Sequence, residues 1–185
     1  MPTLSNARSI LFLAPLLLAA CGVIPTPVVD LPDTSVPLAN TFITQGQVVY
    51  VDQDELATTK STLPAALQGL TIRGDALYNS SGGNLGTVKL YVRTTLAGLD
   101  SRCTSMGATP FTPAIYACDP QGETAQAIGT VTVQAGSKVP FTLNGAALDT
   151  AAKAGHGYFG FQVVTGTALN GESVDLTALK AQAKL

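Results

Sequence analysis

The 185-residue chain carries 10 Lys and Arg against 12 Asp and Glu, a formal charge of −2, with one His, three Cys and no Trp. That mild acidity supplies no basic stripe to neutralise phosphates and argues against a nucleic-acid partner. Charged residues are 12% of the chain, about half the ~25% of an average soluble domain, and Thr, Ser, Gly, Gln and Asn take over the polar positions.

In chain order, the first element is a leader. Arg8 and the amino terminus supply positive charge, and Ile10 to Ala20 form an uncharged apolar run of eleven residues. A spanning helix needs about 20 such residues, so the run has the length of a signal-peptide core. It ends in Leu18-Ala19-Ala20-Cys21-Gly22, and this stretch resembles the lipobox of bacterial lipoproteins. The resemblance implies cleavage before Cys21, acylation of its thiol with palmitate-type chains, and an extracytoplasmic place in the bacterial cell envelope, anchored to membrane by lipid. An ordinary secretory signal cut nearby is the alternative. On the lipobox reading, residues 1–20 are signal peptide, 21–40 are the lipidated Cys and a Pro-rich tether, and 41–185 are the folded domain. Without the leader, 165 residues remain, with nine basic and twelve acidic side chains and a balance of −3. That length suits one domain.

Pro25, Pro27, Pro32 and Pro37 favour extended backbone before Asn40, at roughly 3.1 Å per residue. Such a segment holds the domain up to ~60 Å from the bilayer, or part of it docks along the domain as an edge through Val28, Val29, Leu31 and Val36, and different portions can do each. Period-two alternation then predicts strands: Gln47 to Val51, Leu70 to Tyr78, Val88 to Val92, Ile128 to Gln134, Val139 to Leu143, Tyr158 to Thr165 and Ser173 to Leu185. Leu70, Ile72, Ala76 and Tyr78 share one face, and the Asn79–Asn84 turn cluster predicts a hairpin to Val88–Val92. Pro140 has no amide donor, which predicts an edge strand or a bulge. In the last run Val174, Leu176 and Ala178 share a face, with helix the second choice. Gly145 and Gly155 bracket a short helix, Ala146 to Ala154, and Pro64 suits a helical turn at Leu63 to Leu67.

The expected fold is an all-β antiparallel sandwich with one short helix, jelly-roll and Ig-like topologies both open, and a small β-barrel as the alternative. The strand–helix–strand order from Val139 to Val164 is similar to jelly-roll domains of cell-surface and carbohydrate-binding proteins, without a residue-specific motif.

With Cys21 assigned to the anchor, Cys103 and Cys118 are left as a pair in a compartment that permits disulfides. Their spacing is unlike the C-x-x-C of redox pairs, so a structural bridge is expected. Between them Met106, Pro110, Phe111, Pro113, Ile115 and Tyr116 form an apolar set on a surface excursion, with Phe111, Ile115 and Tyr116 the candidate binding-loop residues. The competing reading is a loop that folds back over the sandwich. His156, in Gly155-His156-Gly157, reads as a solvent-facing turn residue rather than a general base. Asp52, Asp54 and Glu55 are weak metal candidates: oxygen-rich loops bind Ca²⁺, but the spacing lacks the Gly and later Glu of an EF-hand, and a solvated turn is preferred. There is no G-x-S-x-G, H-E-x-x-H or phosphate loop. No catalytic residue, no metal and no cofactor is therefore assigned. The expected function is a binding, adhesion or envelope-structural module whose partner is an envelope protein or a glycan. The alternatives are a carrier of an apolar ligand and an enzyme assembled from scattered residues.

Overall fold

A computed structural model of the chain describes residues 24–38, 45–57, 66–107 and 113–184. The leader, Cys21, Phe111 and most of the turn expected around Pro64 lie outside the described residues. The chain forms an all-β sandwich of two open antiparallel sheets. In the first, β1 (Val29–Asp30) and β2 (Thr34–Pro37) both pair with β11 (Ser173–Lys184), followed by β4 (Gln68–Asn79) and β9 (Lys138–Asn144). In the second the order is β6 (Thr104–Met106), β7 (Ile115–Cys118), β3 (Val48–Asp54), β10 (Tyr158–Thr165), β5 (Thr87–Arg93) and β8 (Ala127–Thr132).

The strand runs read from alternation are present, but the expected hairpin is not. β4 lies between β11 and β9, whereas β5 lies between β10 and β8 in the opposite sheet. Both strands turn apolar faces inward: Ile72, Ala76 and Tyr78 from one, Val88, Leu90 and Val92 from the other. Two apolar faces bury more surface across a core than side by side in one sheet, and stacked sheets lie only about 10 Å apart. The connection from Ser80 to Gly86 spans that gap.

Two further expectations change. β3 continues through Asp52, Gln53 and Asp54 instead of ending in a turn before them. In β11 the alternation breaks at Ala178, whose φ of 52° is left-handed, and the register to β4 shifts between Thr177 and Lys180. Leu179, not Ala178, therefore enters the core. Gly74 on β4 makes room for this bulge, because a Cβ there would stand 2.6 Å from Leu179 Cδ2 and 2.9 Å from the Thr177 carbonyl oxygen.

Pro140 is tolerated because β9 is a free edge of the first sheet. The proline-rich segment docks: the Thr26 amide donates to the Ala183 carbonyl at 2.9 Å, and the Leu31 amide to Leu179 at 2.8 Å. Asp33 accepts from the Ala178 amide at 2.9 Å, which secures the bulge from the strap side. Residues 24–38 thus dock on the sandwich along β11, as the edge reading of this segment has it.

Helix α1 (Ala146–Ala154) has the bounds that the glycines mark, and Gly155 closes it in the left-handed region at φ 68°. Its Leu148 and Ala151 are buried in the inter-sheet core with Phe141, Leu143, Val92 and Ile128. A second, smaller core lies on the outer face of the second sheet. There Val48, Tyr50, Tyr91 and Cys118 are covered by Leu96 and Leu99. Gly160 sits between Tyr50 and Tyr91 in the ladder, and the Tyr50 ring lies over it, 2.5 Å from where a Cβ would be.

Candidate functional site

Cys103 and Cys118 form a disulfide with Cα atoms 4.4 Å apart. β6 and β7 pair as a hairpin, Thr104 opposite Ala117 and Met106 opposite Ile115, so the bridge closes its open end. β7 in turn pairs with β3, Cys118 opposite Val48 and Tyr116 opposite Tyr50. The excursion expected between the cysteines is therefore, in its described part, an extension of the second sheet. β6 is the sheet's outer strand; three residues of Thr, Ser and Met gave too short a pattern to predict it. Of the candidate binding residues, Ile115 and Tyr116 are half-buried on β7, and Met106 is exposed. Burial pushes the Tyr116 phenol up, and Asp100 and Asp52 reinforce the shift. Removing the bridge with Cys103→Ser and Cys118→Ser is expected to cost ~3 kcal/mol, as for other loops of about this length, measured by urea unfolding against the oxidised protein.

His156 and Asp54 come together, a contact the sequence could not show across β3 and β10. Nδ1 of His156 lies 2.6 Å from Asp54 Oδ2. The imidazole is 58% exposed, the carboxylate 14%. Oδ1 of Asp54 accepts the amides of Gly157 at 2.8 Å, and of Leu56 and Ala57 at 3.2 Å. Burial alone would raise the Asp54 pKa, but these amides and His156 hold it below its ordinary value. Asp54 is thus a capping group whose oxygens are occupied, and Asp52 lies near Tyr116 instead. Among the described residues no group of three or more His, Cys, Asp or Glu is placed to hold a metal. Asp54→Ala is expected to lose about 1–2 kcal/mol, as for loss of a cap, and His156→Ala less than about 0.5 kcal/mol, as for an exposed partner. Equal losses in thermal unfolding would refute the asymmetry.

Two polar clusters were not expected from the sequence. A 3₁₀ helix, Pro120–Gln126, follows β7; Asp119 caps it through the Gln121 amide at 2.8 Å, with Pro120 in its first turn. It carries Glu123 onto the outer face of the second sheet. Arg93 meets Glu123 fork to fork, Nε to Oε2 and Nη2 to Oε1, each at 2.8 Å. Tyr50 donates its hydroxyl to the same carboxylate at 2.8 Å, and the Arg93 guanidinium lies 5.6 Å from the Tyr50 ring centroid. Burial, then the Glu123 hydrogen bond, pushes the Tyr50 phenol up.

The second cluster is Glu172, buried at the opposite end of the fold from Gly155. It accepts the amides of Ser81 at 2.7 Å, Gly83 at 2.8 Å, Gly82 at 3.1 Å and Leu169 at 2.7 Å. The Ser80 and Ser81 hydroxyls donate at 3.2 Å, and Tyr78 donates its hydroxyl as well. Ser80-Ser81-Gly82-Gly83 was the one available signal: short side chains leave successive amides free to converge on an anion.

A shallow cleft of about 270 Å³ lies beside α1, lined by Val92, Thr94, Gln126, Ala147 and Thr150, with no charged or aromatic group among its lining residues. No family model matches the chain, and neither a curated protein nor a solved structure matches it.

Proposed function

We propose that this chain is a lipid-anchored extracytoplasmic module for binding, adhesion or envelope structure, held to membrane through Cys21, with the disulfide-closed β6–β7 hairpin as its recognition element. The observation that carries this reading is how the buried and half-buried polar groups are used. Glu172, Glu123 and Asp54 each have their oxygens occupied by donors of the fold, so these carboxylates serve architecture rather than a substrate. A hairpin at a sheet edge with its open end bonded loses little freedom on binding, which favours recognition there. Its partner is an envelope protein or a glycan.

Metabolic labelling with palmitate tests the anchor: the wild type should take up label and sediment with membranes, and Cys21→Ala should do neither. Acylated, membrane-bound Cys21→Ala protein would overturn the lipid reading. Recovery of partners from envelope extracts tests the hairpin. Intact protein should retain partners that a variant shortened between Met106 and Ile115 loses; equal recovery would remove the hairpin from the proposal.

A further inference from the structure

Six large apolar side chains are exposed among the described residues, and three of them, Ile24, Val28 and Val29, fall in the first six described positions. Each is more than half exposed. They are held in place, because Thr26 is tied to Ala183 through its amide and its hydroxyl, and Gln182 donates to the Thr26 carbonyl at 3.0 Å. Val28 shares a shallow groove on the outer face of the first sheet with Thr71, Arg73, Lys180 and Gln182. Lys180 stands directly opposite Arg73 in the ladder, a like-charge pairing that is unfavourable in water. Among the described residues neither cation is within ion-pair distance of a carboxylate. Asp30 faces Lys180 from β1, and Asp75 is next on that face of β4; Lys184 adds a third cation beside Pro25.

Geometry then limits where this patch can be. Ile24 is three residues on from Cys21, a span of at most about 11 Å when fully extended. An acyl chain on Cys21 would therefore hold Ile24 at the depth of the headgroups. Apolar side chains beside cations match that zone, where the apolar groups enter the interface and Lys or Arg meets anionic lipid. We infer, on the strength of the lipid-anchor reading, that the face bearing Val28, Arg73, Lys180 and Lys184, with Ile24 at its end, rests on anionic headgroups of the bilayer that holds Cys21. The Glu172 end lies off this patch, since Ser173 is roughly 25 Å along β11 from Ala181.

The chain lends itself to a direct test. With Cys103 and Cys118 bonded, Cys21 is the free thiol for coupling to a maleimide lipid, so the assay does not depend on cellular acylation. With no Trp in the sequence, Val28→Trp, Ile24→Trp and Leu169→Trp each give one fluorophore. The mature chain is coupled to phosphatidylcholine–phosphatidylglycerol vesicles containing brominated acyl chains. Quenching is expected in Val28→Trp and Ile24→Trp and not in Leu169→Trp, which lies beside the Glu172 cluster. The uncoupled chain, with Cys21 alkylated, should prefer these vesicles to pure phosphatidylcholine. Replacing both Arg73 and Lys180 with Ser should lower its partitioning roughly 10–30-fold. Equal quenching at all three positions, quenching at none, or partitioning indifferent to lipid charge would overturn the inference. Failure of the anchor itself would show separately, in the palmitate labelling.

Discussion

Glu172→Ala is expected to destabilise the domain by about 3–5 kcal/mol, among the largest losses any single substitution produces here. The carboxylate has 2% of its surface exposed and gathers the amides of Ser81, Gly82, Gly83 and Leu169 with the Tyr78 hydroxyl. Alanine would strand those donors together, although the Gly82 amide keeps the Ser80 hydroxyl as an acceptor at 3.2 Å. Gly83 shows how closely the loop is drawn in, since a Cβ there would collide with both the Tyr78 hydroxyl and the Glu172 carboxylate. Glu172→Gln should lose about half as much, because one oxygen still accepts while the amide nitrogen confronts other donors. Chemical denaturation near neutral pH would measure both, and a loss below about 1 kcal/mol for alanine would contradict the assignment.

The same carboxylate sets an acid limit. Burial would raise its pKa, but the hydrogen bonds from Tyr78 and the Leu169, Gly83 and Ser81 amides outweigh burial and hold it well below its ordinary value of 4.5. A depressed native pKa contributes stability that is complete above the unfolded value and is lost as pH falls toward the native one. The wild type should therefore lose stability progressively below about pH 4.5, while Glu172→Gln, starting lower, should show a flatter profile there. Asp54 and Asp175 are also held below their ordinary 3.8, so a residual slope at still lower pH is expected in the variant.

What could be read in advance divides along physical lines. Alternation at period two located most strands, since each has one face in the core; the Ala-rich helix stood between Gly145 and Gly155 because those residues mark its ends chemically. Alternation reports a face, however, and not a partner, so Leu70–Tyr78 and Val88–Val92 looked like neighbours when they oppose each other across the core. Ala178 kept its expected parity until a tertiary clamp, Asp33 on its amide, shifted the register by a bulge. The disulfide followed from parity and compartment, but its place at the mouth of a hairpin depended on β6, whose Thr104-Ser105-Met106 has no apolar rhythm. Buried polar partners were the least legible: Arg93 occupied an ordinary polar position on a strand, and nothing near Glu123 marked it as the residue it would meet.

Arg93→Ala is expected to cost about 3–5 kcal/mol, because it leaves Glu123 charged, 3% exposed and without its counter-ion. Removing the pair together should cost far less. In Arg93→Met with Glu123→Leu no charge is left to desolvate, and apolar side chains extend the small core of Tyr50, Tyr91 and Leu99. The remaining cost is the Tyr50 hydroxyl, which loses the acceptor it holds at 2.8 Å, about 1–2 kcal/mol. A double-mutant cycle read by urea unfolding should therefore be strongly non-additive, the double variant standing within about 2 kcal/mol of wild type. Adding Tyr50→Phe to the double variant should recover part of that residue, since it removes the orphaned hydroxyl. Additive losses would mean that Arg93 and Glu123 contribute through packing of their stems rather than through the charge pair.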